Sequence, residues 1–377
     1  MPMPSRLPVL AVLCALASLV TACASNPARL PLIDPEGAQG RVHDVYIATS
    51  RSPAEIPERR FGTGRGHQLA FAEASVWVPF NREPGSVELP RRHVDPDRQF
   101  ALTGYADIAG EAAFRAEINA RLAELPPGER NIFLFTHGFN TPFSDGLYLN
   151  AQILNDFGVQ GVAIHYAWPS AGQIPAYLYD RDSAQFARDD LARTLEIVAE
   201  SDAVSITVLA HSMGALVTME ALRQLSLQGR ADVITRIDPL ILASPDIDFD
   251  VFRTQINAIE HPPEHVAIFV SSRDRALALS DTLRGGGHPR VGSGANREEL
   301  NEMGVAVIDL SDLRDGVGFA NHVTFASSQT LMQLSTSGVL SAALMGEPTH
   351  VRSTGIGALT DLAAQIIYLP ARALGER

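Results

Sequence analysis

Val204-Ser205-Ile206-Thr207-Val208-Leu209-Ala210-His211-Ser212-Met213-Gly214-Ala215-Leu216-Val217 is the stretch whose reading decides the fold. Val204 to Leu209 is an apolar run rich in β-branched residues, suited to a strand buried on both faces. From Met213 to Leu222 the apolar residues are spaced for one face of a helix. Ala-His-Ser-Met-Gly lies between them. A strand that turns this sharply into a helix strains its central residue and lifts that side chain clear of the sheet. Small residues two before and two after keep strand and helix from clashing. The pattern is a nucleophile elbow with Ser212 as nucleophile. Ala210 stands where glycine is usual, but the position demands smallness more than torsional freedom. A serine two before a glycine is by itself an ordinary turn, so the flanking strand and helix carry the reading.

Outward from the elbow, strands and helices alternate. Strands are expected at Asn131 to Thr136, Gly161 to Tyr166, Val233 to Ala243, His265 to Ser271 and Val305 to Leu310. Helices are expected at Glu111 to Leu125, Phe143 to Phe157, Asp180 to Glu200, Phe249 to Ile259 and from Asn321 onward. This alternation predicts an α/β protein with a mainly parallel, doubly wound sheet. Upstream, Val42 to Thr49, Leu69 to Pro79 and Phe100 to Ile108 read as further strands. Arg59 to Gly66 reads as a glycine-containing loop whose spacing does not fit a phosphate-binding motif.

A serine hydroxyl is a weak nucleophile and needs a base, an orienting acid and an oxyanion hole. On such a sheet the partners follow in the order Ser, Asp/Glu, His, each on a loop after a strand. His322, in Gly318-Phe319-Ala320-Asn321-His322, lies after the last strand and is the expected base. His288 follows a run of glycines and competes with it, whereas His261 and His265 precede a strand rather than follow one. Asp274, in Ser272-Arg273-Asp274-Arg275 after the strand that precedes the histidine strand, is the expected acid, with Asp246 in Ser244-Pro245-Asp246-Ile247 as the alternative. Asp274 could instead pair with a neighbouring arginine and Asp246 could cap the next helix. The oxyanion donors are expected to be the amides of Met213 and Phe139, the latter in Thr136-His137-Gly138-Phe139-Asn140 after an earlier strand. His137, Gly138, Asn140, His211 and Trp168 are expected around the substrate, with Trp168 read either as a pocket wall or as a core tryptophan at a strand end. Tyr177 to Asp182 is read as a short lid.

The stretches Tyr46-Ile47-Ala48-Thr49-Ser50-Arg51, Thr136 to Thr141, Trp168-Pro169-Ser170-Ala171-Gly172, Ala210 to Gly214, Pro245 to Asp248 and Ser271 to Leu277 resemble the bacterial α/β-hydrolase lipoproteins of the esterase/lipase superfamily classed as DUF900. They cover about Val42 to Ser328. The resemblance implies an α/β-hydrolase fold and a serine-hydrolase mechanism, and supplies no substrate.

With 46% hydrophobic and 19% charged residues, the 377-residue chain can build a sizeable core. Its formal net charge of -13 argues against nucleic acid as a partner. Arg6 and the apolar run Leu7 to Val20 read as a signal segment too short to span a membrane. The run ends in Leu19-Val20-Thr21-Ala22-Cys23, which resembles the lipobox of bacterial lipoproteins. In that family the cysteine becomes the acylated N-terminus, so Cys23 is the expected anchor to the bilayer. By the same resemblance, Ala24 after it implies the outer membrane, facing the periplasm. The only other cysteine, Cys14, lies in the signal segment, which leaves no thiol for a disulfide or a metal. The expected organisation is a signal peptide over 1–22, a flexible tether over 23–40, one α/β-hydrolase domain over 41–335 and a packed C-terminal extension over 336–377.

The expected function is an envelope-anchored carboxylic-ester hydrolase without cofactor or metal, acting on a small acyl ester. A non-catalytic envelope lipoprotein on the same fold, and a peptidase or acyltransferase with the same three residues, are the alternatives.

Overall fold

The computed structural model describes residues 29–313, 322–338, 340 and 367–368. The signal segment, Cys23 and most of the C-terminal extension lie outside them. Among the described residues ten strands form one sheet. They are β1 (Gly40–Pro53), β2 (Phe61–Pro79), β3 (Ala101–Ile108), β4 (Asn131–Thr136), β5 (Val162–Ala167), β6 (Ser205–His211), β7 (Ile237–Ala243), β8 (Val266–Val270), β9 (Ala306–Asp309) and β10 (Ile367–Tyr368). Their spatial order is β10-β9-β8-β7-β6-β4-β5-β1-β2-β3. From β9 to β1 all neighbours run parallel, while β2, β3 and β10 add antiparallel edges. The fold is therefore an α/β-hydrolase sheet with an antiparallel N-terminal region, as expected.

The central strands are buried on both faces, because helices cover both. Every residue of β5 and of β8 is buried. On one face pack α1 (Gly110–Ala123), α3 (Tyr177–Ala199) and α4 (Met213–Leu227), with Ile118, Leu195 and Leu222 in a shared core. On the other lie α2 (Phe143–Asp156), a short turn of helix α9 (Thr324–Ser327) and α10 (Gln329–Thr336), with Leu147, Phe325 and Leu331 in theirs. Between α4 and α9 the chain also forms α5 (Ala231–Ile234), α6 (Phe249–Asn257), α7 (Arg275–Leu283) and α8 (Arg297–Glu302).

Strand order places the site. From β4 the chain adds β5 on one side, then crosses back to lay β6, β7, β8 and β9 on the other. The order reverses between β4 and β6, and the crevice beyond the carboxyl ends of such a pair is where open α/β sheets bind ligands.

Three expectations are corrected. The tether was expected to reach residue 40, yet Leu30 is buried, and Leu102 donates to Pro31 O and accepts from Ile33 N beside β3. The apolar Leu30 docks despite its Pro- and Gly-rich surroundings. Most of the expected loop from Arg59 to Gly66 is strand, because it pairs with β1 at Arg51–Arg65 and Pro53–Phe61, and Gly66 lets the β1 backbone approach closely. The start of the expected strand from Val233 is the short helix α5, and β7 begins only at Ile237.

Candidate active site

Ser212 stands between β6 and α4 with φ 52° and ψ -119°. A non-glycine residue there is strained, and such strain persists only where its surroundings over-determine it. Ser212 N donates to Ala243 O at 2.9 Å, while Ser212 O accepts from Asp246 N at 3.2 Å and Ala215 N at 3.1 Å. Ala210 is fully buried and keeps a negative φ, so the position makes no demand that only glycine could meet.

The loop after β4 lies against this elbow. Gly138 and Gly214 mark the contact. A Cβ at Gly138 would come 2.7 Å from His211 Nδ1 and 3.0 Å from Ser212 Cβ. One at Gly214 would come 2.3 Å from His137 O. In the loop, Asn140 N donates to Asp180 Oδ2 at 3.4 Å and Thr141 N to Ser170 Oγ at 3.1 Å. The amides of Phe139 and Met213 donate to nothing among the described residues. Met213 opens α4, where an amide has no intrahelical acceptor.

His322 and Asp274 meet: His322 Nδ1 donates to Asp274 Oδ2 at 2.7 Å. Asp274 also caps α7, its Oδ1 accepting from Ala276 N at 3.0 Å and Leu277 N at 3.1 Å. One buried carboxylate thus serves a helix end through one oxygen and an imidazole through the other. His211 ties the pair to the elbow, its Nε2 lying 3.2 Å from His322 O and its ring 4.7 Å from both the His322 and Phe325 rings.

Asp246 is engaged elsewhere. Tyr177 O–H donates to its Oδ2 at 2.7 Å, Ser280 O–H to its Oδ1 at 2.6 Å, and Arg290 Nε lies 3.4 Å from Oδ1. It does not cap α6; Asp248 does, through Asp250 N and Val251 N. His288 is exposed and sits 4.0 Å from Asp248, and His265 pairs with Asp238 at 2.9 Å.

The expected pocket wall is corrected. Trp168 is fully buried and its indole N–H donates to His137 O at 2.7 Å. It braces the loop from behind. His137 is also fully buried, stacked 5.1 Å from the Trp168 ring. Tyr177 to Asp182 is not a lid but the first turn of α3, anchored by buried Tyr177 and Asp180. Burial holds the His137 and His211 imidazoles well below their ordinary pKa, so both stay neutral. The sequence signal missed here is Asp180, whose Oδ1 accepts from Ala171 N at 2.7 Å and whose Oδ2 accepts from Ser170 Oγ at 2.6 Å. A groove of about 430 Å³ opens along the face of β4, β6 and β7, lined by Phe133, Leu209, Ile241 and Phe325, and neither Ser212 nor His322 lines it.

Behind the loop, His165 is fully buried, its ring 5.6 Å from His137 and 5.7 Å from Phe135. Burial pushes its pKa down to about 3. Its folded pKa is thus below the unfolded value, and stability falls as pH drops below about 6.5. Between pH 7 and pH 5 this residue is expected to remove about 2 kcal/mol. His165→Phe, which keeps an apolar ring in place, should lose that share in urea unfolding at the two pH values. An unchanged pH dependence would exclude His165 as its source.

The chain matches the family described as "Alpha/beta hydrolase of unknown function (DUF900)" over residues 110–338, and it belongs to that family. The match takes in the loop after β4, the elbow, Asp274 and His322. No match was found among curated proteins. Among solved structures, a fungal esterase from Rhizomucor miehei is 11% identical over 93% of this chain and 97% of its own, with a TM-score of 0.36. An esterase from Pyrobaculum calidifontis is 12% identical over 91% and 96%, with a TM-score of 0.31. A Trichoderma reesei cutinase in complex with a phosphonate inhibitor is 13% identical over 35% and 67%, with a TM-score of 0.23. Likenesses this distant bear on neither the chemistry nor the substrate of this chain.

Proposed function

We propose that the protein is a serine carboxylic-ester hydrolase, tethered to the bacterial cell envelope through an acylated Cys23. The reading is carried by one arrangement: a strained serine in the sheet's crevice, whose neighbour His211 bonds the backbone of His322, and a His322 Nδ1 held by a buried carboxylate. With Nδ1–H donating to Asp274, His322 Nε2 keeps its lone pair for the Ser212 proton. Ser212 Oγ makes no hydrogen bond among the described residues, and such bonds often tighten only when substrate binds.

Ser212 Oγ attacks the acyl carbon while His322 Nε2 takes its proton. The carbonyl electrons move onto oxygen, which the Phe139 and Met213 amides receive. The carbonyl re-forms, and His322 returns the proton to the departing alkoxide. The acyl group is left on Ser212. Water, deprotonated by His322, then repeats the cycle and releases the carboxylic acid. Asp274 stabilises the imidazolium in both halves. A non-catalytic role for the fold would not require a strained serine, two unbound amides and an oriented histidine together. By its resemblance to a lipobox, the Cys23 stretch favours anchoring at the outer membrane, facing the periplasm.

The full-length protein, expressed in a bacterium, is expected to react with a fluorophosphonate probe, and Ser212→Ala is expected to abolish the labelling. An unlabelled wild type would overturn the hydrolase reading, and labelling that survives the substitution would reassign the nucleophile. The labelled protein should sediment with outer membranes and take up radiolabelled palmitate. Cys23→Ser should do neither, and palmitate on that variant would refute the anchor.

A further inference from the structure

Arg51 is nearly inaccessible, 1% exposed, at the end of β1 where pairing with β2 loses its register. Its Nη1 donates to Gly62 O at 3.0 Å and to Ser170 O at 3.1 Å. Its Nη2 donates to Thr141 O at 2.7 Å and lies 3.3 Å from His137 Nε2. His137 and Thr141 flank Phe139, so one guanidinium grips both ends of the segment that presents the Phe139 amide. Through Ser170 it also reaches the loop after β5, whose hydroxyl receives the Thr141 amide. We propose that Arg51 is a positioning residue for the oxyanion loop, holding the Phe139 amide in place through Thr141, His137 and Ser170. The proposal rests on the ester-hydrolase reading above.

Chemistry favours this over a filler role. The planar fork bonds in several fixed directions at once, which an ammonium on a flexible stem cannot do. Among the described residues no carboxylate lies within ion-pair distance of Arg51; Asp180 and Asp145 act on it only through space. A buried charge without a direct partner is expensive. Apolar side chains of similar volume often replace buried ions without loss of stability, so structure alone gives little reason for this one. A cation fixed behind a loop that receives a developing oxyanion has such a reason, because preorganised charge is worth most where water is excluded.

The test compares wild type, Arg51→Met and Arg51→Lys on p-nitrophenyl butyrate, with the Ki of a trifluoromethyl ketone and the thermal midpoint read alongside. The ketone forms a tetrahedral adduct on a serine and reports on the oxyanion site. Arg51→Met is expected to lose about 100-fold or more in kcat, with the ketone Ki rising by a similar factor and KM within about threefold. Arg51→Lys, keeping charge but not fork, should fall between the two. If Arg51→Met does not fold, Arg51→Lys decides on the same measures. A folded variant with wild-type kcat and Ki would overturn the proposal, as would a fall in kcat with the ketone Ki unchanged. A wild type that neither hydrolyses the ester nor reacts with fluorophosphonate would overturn the hydrolase reading and this proposal together. A wild type that does react, beside an unaltered Arg51→Lys, would overturn this proposal alone.

Discussion

Asp274→Asn is expected to lower kcat by about 10⁴-fold while leaving the fold nearly as stable as wild type. The separation follows from the two oxygens of Asp274. Oδ1 accepts the Ala276 and Leu277 amides at the start of α7, and Asn caps a helix as well as Asp does. Oδ2 accepts from His322 Nδ1. An amide NH₂ in that place cannot accept, so it drives the imidazole to the other tautomer and puts a hydrogen on the nitrogen that receives the Ser212 proton in the proposed mechanism. Asp274→Ala removes both functions and should add a loss of about 1 kcal/mol for the cap.

Asp246→Asn should behave in the opposite way. It leaves His322 untouched, but its carboxylate receives Tyr177 and Ser280 and faces the buried Arg290 guanidinium. Removing one charge of a buried pair strands the other, so a loss of about 3–5 kcal/mol is expected in urea unfolding, with kcat per folded molecule within about tenfold of wild type. The crossed pattern makes the assignment testable. Should Asp246→Asn abolish turnover and Asp274→Asn spare it, the roles given to the two carboxylates are reversed.

The elbow was readable because its causes are local. Strain at Ser212 needs small neighbours at fixed offsets, and those are visible in five residues. The His322 and Asp274 loops were readable from order along the chain, since each follows a strand of a parallel sheet and so ends at the same edge. That same argument put Asp274 ahead of Asp246, as the carboxylate one strand before the histidine, but did not exclude Asp246. Both loops reach the crevice, and the difference lies in which way each side chain turns, which packing against α3 and α7 decides. Trp168 failed as a pocket wall for a related reason: a strand end locates a residue at the crevice but not on the near or far side of a loop. Arg51 carried no signal for its role. Apart from the His137 imidazole its partners are carbonyl groups, which every residue has, contributed by segments up to about 120 positions away in the chain.

Gly138→Ala is expected to lower kcat by about 10²–10³-fold, the effect of losing one oxyanion donor, with only a modest loss of stability. An added methyl would stand 2.7 Å from His211 Nδ1 and 3.0 Å from Ser212 Cβ. The elbow side cannot yield readily. Ser212 is held in its strained conformation by the backbone of β7 and the Asp246 amide, and His211 is pinned between His322 O and the Phe325 ring. The loop side must therefore move, and the Phe139 amide moves with it. Trp168, Arg51 and Asp180 grip the loop from behind, so the shift is a displacement of tenths of an ångström and not an unfolding. Gly214→Ala provides the contrast. There the methyl would meet backbone, His137 O at 2.3 Å, with no side chain to turn aside. That variant should lose about 1–3 kcal/mol or more of stability along with its activity. For Gly138→Ala the decisive pair of measurements is the trifluoromethyl ketone Ki and the thermal midpoint. A Ki that rises with the fall in kcat, in a protein that melts close to wild type, places the damage at the oxyanion site. A wild-type Ki in a variant of reduced kcat would mean that the loop after β4 does not supply the donor.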